Sequence, residues 1–133
     1  MSKLNQSCQA IVEDVNDALA CGVVDLGTGM LLGVHHIVPH FTQSYLDAVA
    51  AAAVDMFRGK NVRRIEDLLT KQRGRPAKDS FEEIFISSPM VFHFMKIIRD
   101  KNAVVVLTTK KTTNQGMGWA SLRNAIESIA SCL

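Results

Sequence analysis

The chain is poor in the residues that build staples, membrane spans and phosphate cradles. It has three cysteines, Cys8, Cys21 and Cys132, an odd number with no CxxC spacing. That argues against a disulfide framework or a zinc site and suits a reducing compartment. The longest apolar run, Ala48 to Val54, falls far short of the roughly 20 residues a bilayer span requires. Met1 to Gln9 is polar and lacks the apolar stretch of a signal peptide. A soluble, cytoplasmic protein is therefore expected. Neither GxxxxGK[ST] nor GxGxxG occurs. Gly27-Thr28-Gly29 and Gly116-Met117-Gly118 are too short to hold a phosphate chain and read as a hairpin turn and a strand-to-helix joint. A net charge of +2 does not by itself imply a polyanionic partner.

What remains is ordinary globular chemistry. With 133 residues, 47% hydrophobic and 21% charged, one domain over residues 1–133 with one core is expected. Leu4, Cys8, Ile11, Val12 and Val15 recur on a helical period, with Ser2 placed to cap them and Asn16-Asp17 to end the helix. A hairpin follows: Ala18 to Leu26, a turn at Gly27-Thr28-Gly29, and Met30 to Val38, stopped by Pro39. Neither strand alternates cleanly, which implies helices on both faces of the sheet.

The central helix, from about Gln43 to Arg58 with Thr42 as N-cap, has two apolar stripes. Leu46, Val49, Ala50, Ala53, Val54 and Phe57 form the first; Tyr45, Ala48, Ala52 and Met56 form the second. Asp47, Asp55 and Arg58 mark a solvated side. A helix with two apolar faces buries one on its own sheet and the other on something else. The alanines of the second stripe admit a close neighbour, for which a symmetric partner helix is the simplest candidate. Tyr45, Ala48, Ala52 and Met56, with Ile84 and Ile86 of the third strand, are the expected dimer or partner contacts.

After Gly59, Val62, Ile65, Leu68 and Leu69 suggest a further helical turn or two. Residues of about 71–79, including the run Lys71 to Lys78, read as a basic loop. Strands follow at Phe81–Ser87, Met90–Arg99 and Ala103–Thr109, then a last helix on which Trp119, Leu122, Ile126, Ile129 and Ala130 share a face. The expected fold is α/β: a three-layer α/β/α sandwich around a five-stranded antiparallel sheet, in the order α-β-β-α-β-β-β-α.

Candidate chemistry is sparse. His35 and His36 are adjacent on a strand, point to opposite faces and do not easily share one ion; His40 lies past Pro39. His93, between Phe92 and Phe94, reads as a core or interface residue. Cys8 and Cys21 sit among apolar neighbours, where thiols act as small hydrophobes. No catalytic, cofactor or metal residue is assigned. Arg73-Gly74-Arg75-Pro76 matches the core of the AT-hook, an extended element that lies in the minor groove of A·T-rich DNA. Arg73 and Arg75 are therefore the residues for a nucleic-acid alternative, which ranks below protein binding because a basic loop is more often simply solvated.

The hairpin Ala20-Cys21-Gly22-Val23-Val24-Asp25-Leu26-Gly27-Thr28-Gly29-Met30-Leu31-Leu32-Gly33, the alanine-rich central helix, the three-strand meander and the link Asn114-Gln115-Gly116-Met117-Gly118 together resemble the roadblock family over nearly the whole chain. The resemblance implies a profilin-like domain that pairs into a homodimer, central helices side by side and sheets joined at an edge. It further implies a non-enzymatic adaptor or regulator whose partner is a small Ras-like GTPase or a motor or scaffold complex. Asn61 to Asp79 departs from the family pattern in being longer and more basic. A small-molecule sensor is the remaining alternative; the sequence shows no convergent polar groups inside an apolar pocket.

Overall fold

The computed structural model describes residues 2–133. Helix α1 (Lys3–Asp14) starts at Ser2, whose Oγ accepts the Asn5 backbone N–H at 3.1 Å. Strands β1 (Ala18–Asp25) and β2 (Leu31–His36) form the hairpin. Its turn is tied by the Asp25 carboxylate, which accepts the Thr28 N–H at 2.9 Å and the Thr28 hydroxyl at 2.6 Å. Those bonds hold the Asp25 carboxyl below its ordinary range. Gly29, at φ +75°, supplies the left-handed residue the turn requires.

Helix α2 (Gln43–Arg58) is capped by Thr42, whose hydroxyl accepts the Tyr45 N–H. A second helix, α3 (Lys60–Arg73), follows after the single residue Gly59. Gly59 donates its N–H to Asp55 and sits so close that a Cβ there would run into the Asp55 carbonyl. Strands β3 (Glu83–Ser87), β4 (Val91–Ile98) and β5 (Ala103–Lys110) make the meander, and α4 (Gln115–Ala130) closes the chain.

The five strands are antiparallel in the order β2-β1-β5-β4-β3, so the chain's two hairpin systems meet where β1 pairs β5. Side chains alternate between faces. Val105, Leu107, Phe94 and Val23 enter a core under α1 and α4, with Leu122 and Ile129 above them. Val104, Val106, Met95 and Val24 enter a second core under α2, with Ala50, Ala53 and Phe57. The three-layer α/β/α sandwich with a five-stranded antiparallel sheet is thus the observed fold.

Three readings need correction. The element order contains one more helix, because α3 runs through 14 residues rather than a turn or two. The basic loop does not begin at residue 71: Lys71, Gln72 and Arg73 form the last turn of α3, which stops at Gly74 in the left-handed conformation (φ +69°). The link Asn114–Gly118 is the N-cap and first turn of α4, with Asn114 Oδ1 accepting the Met117 N–H. Position 118 is held by glycine because the Phe94 ring lies 2.8 Å from where a Cβ would stand.

Candidate functional site

The first stripe of α2 is spent on the sheet: Ala50, Ala53 and Phe57 are at most 1% exposed. The second stripe is uncovered for most of its length. Ala48 and Ala52 are exposed, Tyr45 is 40% exposed and stacks on Phe41 at 4.8 Å, and Met56 is half-buried. Met56 packs at the margin of the α2 core, and so do Ile84 and Ile86 of β3. Met56, Ile84 and Ile86 are thus all partly buried on the α2 side of the sheet, and Tyr45 lies near the N-terminal end of the helix. Arg58, expected on the solvated side with Asp47 and Asp55, is instead half-buried. Its guanidinium grips the Asp79 carboxylate with two bonds of 2.9 Å.

The two sheet edges differ in their backbone. On β2, the outward N–H of Val34 is taken by Asn5 Oδ1 of α1 at 2.9 Å. On β3, the Ile97 N–H donates to the Glu82 carbonyl, and Ile84 and Ile86 stand opposite Met95 and His93. Antiparallel alternation then turns the N–H and C=O groups of Glu83, Phe85 and Ser87 away from β4. This edge is open for another strand. The Glu83 side chain is held on the α4 side by Arg123, at 2.7 and 2.8 Å, which keeps its carboxyl below the ordinary range.

One row across the α2 face runs His36, Ala20, Thr108, His93, Ile86. The Nδ1 atoms of His36 and His93 are buried without a hydrogen-bond partner among the described residues. Burial pushes the His93 imidazole below its usual value. His35 and His36 stand opposite Cys21 and Ala20, on opposite faces. Cys8 of α1 and Cys21 of β1 are fully buried in the core between that helix and the sheet. Between α2 and the sheet lies a cavity of about 30 Å³, lined by Val34, Tyr45, Val106 and Thr108 among others. It has room for a water or two and no more.

Arg73 and Arg75 are both exposed. Arg73 ends α3 and Gly74 reverses the chain, so the four-residue run is not the extended ribbon that minor-groove insertion requires. Sequence reading missed two features of the region: the Arg58–Asp79 clamp, which spans 21 residues, and the length of α3; it named Ile84 and Ile86 as contacts but could not derive from the residues that β3 is outermost, which depends on strand order.

No family model and no curated protein matches the chain. Solved structures do. A Myxococcus xanthus MglB superposes with a TM-score of 0.72 at 18% identity, covering 98% of this chain and 94% of that one. A roadblock/LC7 domain from Streptomyces avermitilis gives 0.71 at 11% identity, covering 96% and 94%. An MglB with a tetrameric arrangement gives 0.73 at 16% identity, covering 98% and 87%. The chain has the roadblock fold.

Proposed function

We propose, starting from this roadblock fold, that the protein is a homodimeric adaptor or regulator that works by binding other proteins, with a small Ras-like GTPase as its partner in a reducing cytoplasm. The observation that carries the reading is the unfinished α2 face: an exposed alanine-rich helix flank on the same side of the sheet as Ile84 and Ile86 of the outermost strand β3. A two-fold axis there lets two β3 strands pair antiparallel, with Phe85 at the centre and Glu83 opposite Ser87 of the partner subunit. The same axis sets the alanines of α2 against their counterparts. That a similar MglB has a tetrameric arrangement supports self-association through surfaces of this fold. No catalytic constellation is assigned, and the resemblance implies none.

The GTPase is tested by nucleotide turnover. A Ras-like GTPase encoded beside this chain, incubated with excess protein, is expected to change its rate of GTP hydrolysis or nucleotide release, and Ala52→Glu is expected to lose that effect. An unaltered rate together with no measurable complex would overturn the GTPase reading and leave the adaptor reading to a different partner.

A further inference from the structure

The charge of this chain is sharply divided. Residues 58–78 carry eight of the fifteen Lys and Arg but two of the thirteen Asp and Glu, which leaves that segment at +6 and the rest of the chain at −4. Most of it is α3 and the turn after it. Val62 and Glu66 fix the inner side of this helix, both buried, with Glu66 accepting the Ser80 N–H at 2.7 Å. Thr70 Oγ1 accepts the Ala77 N–H at 2.8 Å, and Arg58 clamps Asp79. The insertion is thus tied down along its length and presents one side outward. That side is read from the spacing: Lys60, Arg64, Ile65, Leu68 and Lys71 share it, all exposed, with Ile65 at 45% and Leu68 at 53%. Asp67 stands at its margin. Arg73, Arg75 and Lys78 continue the cationic surface beyond the helix.

We propose that this face of α3 docks the protein on an anionic membrane surface. Ile65 and Leu68 stand on the exposed helix flank, and the hollow beside them is lined by polar and charged side chains, Lys60, Arg64 and Asp67 among them, so it offers no apolar trough for a peptide. Its two aliphatic side chains lie among the cations, which suits the headgroup boundary, where charge meets hydrocarbon. Phosphodiester backbones supply anions without that apolar floor. A second copy meeting it face to face would bring like charges together. The complementary surface is therefore anionic, flat and apolar just beneath. Adhesion is peripheral: no helix among the described residues is long and apolar enough to cross a bilayer. The inference stands independently of the dimer, although two subunits on one surface would reinforce each other.

The test is co-sedimentation of the full chain with phosphatidylcholine vesicles containing phosphatidylserine, against phosphatidylcholine alone, at low and high salt. Binding about tenfold or more tighter to the anionic vesicles is expected, with release at high salt. Arg64→Glu with Lys71→Glu should abolish it, and Leu68→Ser should weaken it severalfold, both at unchanged circular dichroism and solution mass. Equal retention on neutral and anionic vesicles would overturn the proposal, as would unchanged binding by the double variant. Tighter binding to duplex DNA than to vesicles, lost in the same double variant, would assign the face to nucleic acid instead. A salt-sensitive rise in solution mass without vesicles would assign it to self-assembly. Solution mass at high salt reports on the dimer separately, so the two readings fail independently.

Discussion

The two faces of the sheet are finished to different degrees. On one, α1 and α4 lie together over Val105, Leu107 and Phe94, the apolar layer is closed, and α1 also lends Asn5 to the β2 edge. On the other, α2 covers Val104, Val106 and Met95, leaving Ile84, Ile86 and Met56 half-buried on that side, and the outermost strand β3 turns backbone groups of Glu83, Phe85 and Ser87 outward. Both faces come from strands of similar hydrophobicity, so the difference does not lie in the sheet. It lies in how many helices one chain brings to each side. In the proposed dimer a second copy of the same helix completes this layer, and the small side chains of Ala48 and Ala52 suit its close approach.

Substitutions on the two faces should therefore fail in different ways. The largest effect belongs to the closed face. Leu122→Ala, at a fully buried position of α4, should lower unfolding free energy by about 2–5 kcal/mol. Denaturant titration should show a loss that is the same at every protein concentration. A concentration-dependent loss would mean that this face, too, belongs to an interface. Next comes the open edge. Ser87→Pro removes an N–H that β4 does not use, so the chain should fold while its dimer weakens about tenfold, equivalent to roughly 1.4 kcal/mol. Sedimentation over a dilution series reads this directly. An unchanged dissociation constant would place the joint elsewhere.

Smaller still is the guarded edge. Asn5→Ala frees the Val34 N–H to water and should reduce stability by about 1 kcal/mol without altering the dimer. If it promotes association instead, Asn5 is what keeps β2 from acting as a second joining edge. The mildest effect is graded with pH. Because burial lowers the His93 imidazole below the ordinary value of 6.5, the folded state takes up its proton less readily than the unfolded chain. Stability contributed by neutral His93 is full above pH 6.5 and falls as the pH drops toward the lowered value. In His93→Gln, thermal melts should lose that part of the slope. His93 stands opposite Ile86 on the open face, so a slope steeper in the dimer than in Ala52→Glu would join this titration to assembly.

Much of this was legible in the residues. The two stripes of α2 could be read because each repeats apolar side chains at helical spacing, the first buried against the sheet and the second left largely exposed by the chain itself. The α1 stripe, the hairpin and the meander were equally plain. Helix α3 was not, since its apolar signal ends at Leu69 while Lys71, Gln72 and Arg73 continue the helix as exposed helix formers until Gly74 stops it. The start of α4 was hidden because Gly116 and Gly118 look like breakers, and only the fold shows that the Phe94 ring leaves no room for a Cβ at position 118 of the helix. The open β3 edge is a property of strand order: β3 is outermost because β5 pairs with β1, a pairing that local sequence does not encode. The division of charge was visible in the sequence but diluted by the whole-chain average of +2.

The most direct test of the account is solution mass by light scattering, for the wild type and for Ala52→Glu. Ala52 is exposed in the chain alone, so glutamate is tolerated by the helix and harmful only where another surface must approach. The wild type should weigh twice the 14.6 kDa chain, and the variant should weigh one chain with unchanged circular dichroism. A wild type at 14.6 kDa at every concentration, or a variant that remains at twice that mass, would contradict the claim that the uncovered face of α2 is where two copies meet.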